Sequence, residues 1–152
     1  MNTYQIEHLF TYRLQVAPPQ IIGPVPGDVR LDFAIVGGEI TGPRLQGSVK
    51  PGGADFGTLR TDGIFLVDVR GALESHDGAL IEITYTGVMD LGPDGYAKFL
   101  KEEAPASAAV RAAPRFRTAH PADAWMNRLQ CISIGQANLA TTEVLFDVYA
   151  LK

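Results

Sequence analysis

A single acidic residue stands among glycines in the segment Gly52-Gly53-Ala54-Asp55-Phe56-Gly57. Glycine lets the backbone approach a ligand closely, because it has no Cβ to clash. Burial would raise the pKa of the Asp55 carboxyl and allow it to act as a general base or acid. The alternative is a turn in which the carboxylate only accepts a backbone hydrogen bond. Asp55 is therefore a candidate catalytic residue.

Asp68 and Arg70 lie two residues apart in an alternating run, so they share one face of a predicted strand. Either this face lines a lumen, where acid and base would pair and Arg70 would be catalytic, or it is a solvated outer face carrying a weak ion pair. The sequence leaves both readings open. Asp68 is a candidate for substrate binding, as is Tyr85 in a neighbouring predicted strand.

Arg111, Arg115 and Arg117 occupy alternate positions of another predicted strand. Guanidinium groups suit carboxylates and other anions, so Arg117 is a candidate for stabilising developing negative charge. A solvated outer face is the favoured alternative, because desolvating three like charges in a lumen is costly.

The only tryptophan is followed two residues later by an amide, in Ala124-Trp125-Met126-Asn127-Arg128. Trp125 could stack on a flat ligand and Asn127 could donate to a carbonyl or oxyanion, so both are candidates for substrate binding. The alternative is a core tryptophan with a structural asparagine.

Metal and cofactor chemistry is not indicated by any motif. The chain has no glycine-rich phosphate loop and no pattern of paired cysteines or histidines. His8, His76 and His120 are far apart in sequence, and Cys131 lies in an apolar run typical of a strand interior. We expect no cofactor and no metal.

The elements that must position these residues are short strands. Glycines and prolines are spread along the chain, and runs of β-branched and aromatic residues alternate with polar ones, which is typical of an all-β protein. The pair Asp77-Gly78 predicts a hairpin between strands 64–75 and 79–87. Pro93, Tyr96 and Phe99 indicate one helix over 93–103. The predicted strands are 8–14, 31–35, 44–49, 63–70, 79–86, 110–118, 127–135 and 142–151.

These elements fit one domain, residues 1–152, with a fold class that is all-β. We expect a closed or nearly closed antiparallel β-barrel of about eight strands with one short helix, because closure removes exposed sheet edges. A barrel of this size is either filled by side chains or holds one small ligand.

Charge and composition exclude several classes of partner. Thirteen basic and seventeen acidic residues give a net charge of −4, which argues against nucleic acid. No apolar run is long enough to span a membrane, and the first residues resemble no signal peptide. We expect a cytoplasmic protein.

Four separate sequence segments resemble those of the bacterial domain-of-unknown-function family 3237. They are HLFTYRLQVAPP, GGEITGPRLQGSVKPGGADF, TDGIFLVDVRGALESHDGALIEITYTG and APRFRTAHPADAWMNRLQCISIGQ, in the family's order. The resemblance implies a small antiparallel barrel similar to the allene oxide cyclase and dirigent barrels, commonly a homodimer. The family's recurring polar positions fall on Arg44, Asp55, Asp62, Gly63, Asp68, Arg70, Asp77, Arg117, Trp125 and Asn127.

This chain departs from the family pattern at Phe56, where tryptophan is usual, and at Gly71, where an aromatic residue is usual. If both positions line the lumen, the pocket here is wider. Segment 106–113 is alanine-rich and lacks the aromatic pair that is usual in the family.

Together the residues favour a cofactor-independent lyase, isomerase or cyclase acting on a small aromatic or carbonyl-bearing molecule in the lumen. Asp55 would move a proton, Arg44, Arg70 or Arg117 would stabilise negative charge, and Trp125 with Asn127 would orient the substrate. The alternatives are a non-catalytic binding barrel and a structural protein whose lumen is filled core.

Overall fold

Eleven strands and two short helices make up the computed structural model, which describes residues 1–152. The strands, in chain order, are β1 Ile6–Val16, β2 Gln20–Val25, β3 Asp28–Thr41, β4 Gly47–Val49, β5 Ala54–Arg60, β6 Ile64–Ser75, β7 Leu80–Asp90, β8 Ser107–Ala112, β9 Arg115–Arg117, β10 Gln130–Asn138 and β11 Glu143–Leu151. The helices are α1, Gly95–Leu100, and a 3₁₀ helix, Pro121–Arg128.

Eight of the strands close into an antiparallel barrel. Around the ring the order is β1, β3, β5, β6, β7, β8, β10 and β11, and β11 pairs with β1 to complete it. Closure gives every strand of the ring two partners, which removes the free edges that promote aggregation. The expected closed barrel is confirmed.

The other three strands extend the barrel wall. β4 pairs with β3 and β6, which are also the two neighbours of β5. It contacts the last residues of each strand, whereas β5 contacts the earlier ones. β9 pairs with Glu82–Thr84 of β7, beyond the part of β7 that pairs with β8. β2 pairs with the first residues of β3, while β1 pairs with the last. The wall is therefore longer than its eight principal strands.

Alternation along each strand separates the interior from the outer surface. In β6, Phe65, Val67 and Val69 are buried in the barrel, while Asp68 is half-buried and Arg70 exposed on the outside. The same period of two runs through the neighbouring strands, so aliphatic and aromatic side chains fill the interior.

The two ends of the barrel differ. The 3₁₀ helix covers one end, where Met126 is fully buried and Trp125 packs against the core. The loop that carries α1 lies at the other end, where Phe99 also contacts the core. Neither helix is long and apolar enough to span a membrane.

Several local predictions are confirmed and others are wrong. The hairpin at Asp77-Gly78 joins β6 to β7 as expected. The helix predicted over 93–103 is only Gly95–Leu100, and a second helix occupies Pro121–Arg128, where part of a strand was expected. The predicted strand 110–118 is two strands, because Pro114 has no N–H for the ladder.

Candidate functional site

A cavity of about 200 Å³ lies inside the barrel, towards the end that carries α1. Of its 23 lining residues, 19 are hydrophobic; the others are Pro19, Asp55, Asn138 and Thr142. Ala104 and Asn138 are solvent-exposed and line the cavity as well, so the cavity reaches the surface beside them. The lumen is therefore not simply filled core, which counts against the alternative of a structural protein with a filled barrel.

Asp55 is the only charged side chain that lines this cavity. It lies on β5, where its backbone pairs with Phe33 on one side and Val69 on the other, and its side chain faces inward. Oδ1 accepts a hydrogen bond of 2.9 Å from the backbone N–H of Asp68. The segment around Asp55 is thus a strand and not the turn of the alternative interpretation, although the backbone hydrogen bond of that alternative is present.

Burial raises the pKa of the Asp55 carboxyl from 3.8 to about 6. Desolvation is the largest cause, because an apolar cavity disfavours the charged form; the Asp68 N–H opposes it by stabilising the carboxylate. A carboxyl of this pKa exists in both protonation states near neutral pH. It is suited to both accepting and donating a proton.

Tyr85 lies in the same cross-strand row as Asp55. Val69 pairs with Asp55 on β5 and with Tyr85 on β7, so the three inward side chains lie side by side on adjacent strands. Because neighbouring strands are ~4.8 Å apart, the backbones of Asp55 and Tyr85 are separated by about 10 Å. This spacing leaves room for a small molecule to contact both side chains.

A second tyrosine supports the first. The rings of Tyr12 and Tyr85 both pack on Phe146, at centroid distances of 5.2 and 5.7 Å. Burial raises the pKa of both phenols well above the ordinary value, so both hydroxyls remain protonated and able to donate. The buried Tyr12 hydroxyl lies close to the Tyr85 hydroxyl and has no other polar partner.

The outer face of β6 carries Asp68 and Arg70. No ion pair forms between them, and neither side chain lines the cavity. Of the two interpretations of this face, the structure agrees with the solvated outer face. Arg70 is therefore not positioned to stabilise charge in the lumen.

Four other candidates lie around the end that the 3₁₀ helix covers, away from the cavity. Arg44 stacks on the Trp125 ring at 4.7 Å and pairs with Glu7 at 2.8 Å. Arg117 is exposed and lies 3.4 Å from Glu82. Of the expected site residues, the cavity brings together only Asp55 and Tyr85.

Asn127 joins the 3₁₀ helix to the segment that follows β9. Its Oδ1 accepts from the Thr118 N–H at 2.8 Å and its Nδ2 donates to the Thr118 carbonyl at 2.9 Å. Both functions of the amide are used in this contact, which matches the structural alternative for Asn127.

The positions where the chain departs from the family pattern have different surroundings. Phe56 is exposed on the outer surface, so it does not line the lumen and its smaller ring does not widen the cavity. Gly71 does face the interior, where an added Cβ would lie 3.0 Å from Ile35 Cδ1. Within the alanine-rich segment, residues 107–112 form β8 and Val110 lines the cavity.

Sequence reasoning missed most of the apolar lining and the polar rim at Asn138 and Thr142. Alternation does place Phe65, Val67 and Val69 on one face of β6, and that face lines the cavity. The sequence carries no comparable signal for Asn138, because its place at the rim depends on how the β10–β11 turn meets the α1 loop.

Comparisons with known proteins agree with this description. Residues 4–151 match the family described as "Protein of unknown function (DUF3237)". A UPF0311 protein of Rhodopseudomonas palustris is 30% identical over 150 residues, covering 97% of this chain and 96% of the relative. A crystal structure of a protein with unknown function from Clostridium acetobutylicum has a TM-score of 0.88 and 25% identity, covering 99% of this chain and 100% of that one.

A more distant barrel, described as an enzyme from Penicillium herquei, has a TM-score of 0.74 and 22% identity. It covers 100% of this chain and 97% of its own. At that identity the similarity concerns the fold alone.

Proposed function

Because this chain belongs to the DUF3237 family, whose description names no reaction, we propose an activity from the cavity itself: cofactor-independent acid–base catalysis on a small carbonyl-bearing molecule. The reaction class is that of an isomerase, lyase or cyclase. Asp55 moves the proton and Tyr85 donates a hydrogen bond to the substrate oxygen.

One observation carries this proposal: the cavity has a single charged group, and burial raises the pKa of that group to about 6. Keeping a carboxylate in apolar surroundings costs free energy, and such perturbed groups cluster at functional sites. A barrel of the same fold from Penicillium herquei is described as an enzyme, which supports catalysis within a barrel of this shape.

In this mechanism the Asp55 carboxylate removes a proton from the carbon beside the carbonyl, and negative charge develops on the carbonyl oxygen. Tyr85 stabilises that oxygen by donating its O–H, which the raised pKa of the phenol keeps in place. Protonated Asp55 then returns the proton to another carbon, or to a leaving group. The first outcome is an isomerisation and the second an elimination.

Cavity size and lining define the substrate class. An engineered apolar cavity of about 150 Å³ holds benzene, so the present volume suits a ring with a small substituent. The cavity contains no cationic side chain, which favours an uncharged molecule with one oxygen function. The apolar ring would contact the aliphatic wall while the oxygen reaches Tyr85.

A direct test is hydrogen–deuterium exchange at the methyl group of acetophenone in D₂O, followed by NMR. We expect exchange catalysed by the protein, with a loss of about 10²–10⁴-fold in Asp55→Asn and of about 10²-fold or more in Tyr85→Phe. Asp147→Asn and Tyr149→Phe are matched controls that should keep wild-type exchange. Both residues lie on the outer face of β11, away from Phe146, which lines the cavity. Unchanged exchange in Asp55→Asn would remove Asp55 from the mechanism.

The apolar lining also supports a second function, non-catalytic binding of the same class of molecule. Native mass spectrometry of protein purified from its own host would detect a bound organic molecule. A ligand that is recovered chemically unchanged after long incubation would favour binding over catalysis.

We also propose that the protein works in the cytoplasm, and that it is a homodimer, as the family resemblance implies. Light scattering on purified protein tests the dimer, and fractionation of the host cell tests the location. A mass of one chain at micromolar concentration would exclude a stable dimer.

A further inference from the structure

The barrel wall is locally open beside Asp55. β5 and β6 pair at Ala54–Arg70 and Asp55–Val69 and again at Thr58–Leu66 and Leu59–Phe65, but the two pairs between are missing. Residues of an antiparallel strand alternate in the neighbour that their backbone groups face. The Gly63 carbonyl accepts a hydrogen bond from the Leu91 N–H, so the backbone of Gly63 faces β7. Because Asp68 lies five residues further along, its backbone faces the other neighbour, and its N–H points towards β5.

Two side chains occupy this opening. Opposite Asp68, a regular ladder would offer the Phe56 carbonyl as acceptor. Instead, the Asp68 N–H donates to Asp55 Oδ1 from the inner side at 2.9 Å, and Arg30 Nη1 donates to the Phe56 carbonyl at 2.9 Å from the outer side.

Arg30 is held in place by several contacts on the outer wall. Its Nη1 also donates to the Gly57 carbonyl and, at 3.2 Å, to Thr58 Oγ1. Its Nη2 pairs with Asp32 at 3.0 Å, and both side chains are about three-quarters buried, with exposures of 28% and 26%. A planar guanidinium with several fixed donors is suited to contact adjacent carbonyls at once.

We propose that Arg30 is a positioning residue: by binding the β5 carbonyls it keeps β5 and β6 apart, which fixes Asp55 Oδ1 on the Asp68 N–H and leaves Oδ2 free to exchange a proton with the substrate. Oδ2 accepts no hydrogen bond from the protein. The role in catalysis rests on the proposed function, whereas the positioning itself can be measured without a substrate.

The charges that face Asp55 are arranged consistently with this role. Arg30 on β3 lowers the pKa of Asp55, while Asp32 on β3 and Asp68 on β6 raise it. Tyr85 on β7 is a neutral donor. Arg30 is therefore the only nearby cation that offsets the burial of the carboxylate.

NMR of the full chain tests the proposal. In the wild type, the Asp68 amide shift should follow the Asp55 carboxyl titration, with a midpoint near pH 6. In Arg30→Gln, β5 should pair with β6, the Asp68 amide should lose this pH dependence, and the Asp55 midpoint should rise by about one pH unit. Arg13→Gln is the matched control, because Arg13 pairs with Glu143 on the outer wall and should leave both signals unchanged.

Arg30→Lys separates geometry from charge. Lysine keeps the positive charge, but one ammonium cannot replace both Nη1, which binds the β5 carbonyls, and Nη2, which pairs with Asp32. The amide dependence should therefore still be lost, while the Asp55 midpoint moves less. This variant also decides the question if Arg30→Gln fails to fold. An Asp68 amide that still follows Asp55 in a folded Arg30→Lys or Arg30→Gln variant would overturn the proposal.

The two proposals fail in different ways. If Asp55→Asn keeps acetophenone exchange while Arg30 variants lose the amide signal, the proposed function is wrong and the positioning stands. If Asp55 is required for exchange but the amide signal persists in the Arg30 variants, only the positioning role is wrong.

Discussion

Asp55 is buried where its charge is disfavoured, and this has a measurable effect on stability. Below about pH 3 the carboxyl is mostly protonated in both folded and unfolded chains, so its burial carries little charge penalty. As the pH rises from 3.8 towards 6, the unfolded chain ionises first and the folded state loses stability. Above this window the penalty is complete, at about 2–3 kcal/mol.

Asp55→Asn should therefore stabilise the protein at pH 8 by up to about 2–3 kcal/mol and have little effect at about pH 3. The asparagine Oδ1 can still accept from the Asp68 N–H, so the hydrogen bond is retained. Urea unfolding of both proteins at the two pH values measures the difference. Equal stability of variant and wild type at pH 8 would show that the carboxylate is not disfavoured by burial.

The same titration sets the pH dependence of catalysis. As a general base Asp55 must be ionised, so kcat/KM for acetophenone exchange should fall about tenfold per pH unit below pH 6 and level off above it. In Arg30→Gln the break should move to higher pH. A wild-type profile that is flat between pH 4.5 and 8 would contradict the use of Asp55 as the base.

At the scale of elements, the 3₁₀ helix closes one end of the barrel and depends on Asn127. Asn127→Ala removes both hydrogen bonds to Thr118 and should lower the free energy of unfolding by about 1 kcal/mol, because the contact is solvent-exposed. Exchange on acetophenone should remain at the wild-type rate. Asn127→Asp keeps the acceptor and loses the donor, so its free energy of unfolding should lie between those of the wild type and Asn127→Ala. A large loss of activity in Asn127→Ala without a loss of stability would show that Asn127 takes part in substrate binding or catalysis.

Elements differed in how far the sequence could predict them. The β6–β7 hairpin was predictable because Asp77-Gly78 supplies the turn and Gly78 adopts a positive φ of 82°. β5 was missed because Gly52 and Gly53 precede it and suggested a turn. Pro121 stands in the first turn of the 3₁₀ helix, where proline is favoured and marks a helix start in the sequence.

The candidate site was predictable only in part for a related reason. A polar residue on a strand is visible in the sequence, but which face turns inward is not, because a shift of one residue reverses every side chain. Asp55 and Tyr85 face the cavity, whereas Asp68 and Arg70 face outward. Arg30 acts through carbonyls of a neighbouring strand, and no sequence pattern marks such a contact.

At the scale of the whole molecule, charge is segregated. The guanidinium groups lie on the outer wall and around the closed end, while the open end leads to a cavity with one carboxyl and no cation. The net charge of −4 adds a field that disfavours anions. Both the residues that line the cavity and the charge of the whole molecule therefore disfavour anionic ligands.

Acetophenone and benzoate share a ring and differ in charge, which makes them a matched pair for testing this selection. Acetophenone should raise the thermal unfolding midpoint at both pH 5 and pH 8. Benzoate should bind measurably only at low pH, where protonated Asp55 can donate to it, and its Kd should rise about tenfold per pH unit above 6, because each binding event then requires uptake of one proton. Asp55→Asn should abolish this pH dependence. Tight benzoate binding at pH 8 would instead mean that Arg44, Arg70 or Arg117 reaches the ligand, as the sequence alone had allowed.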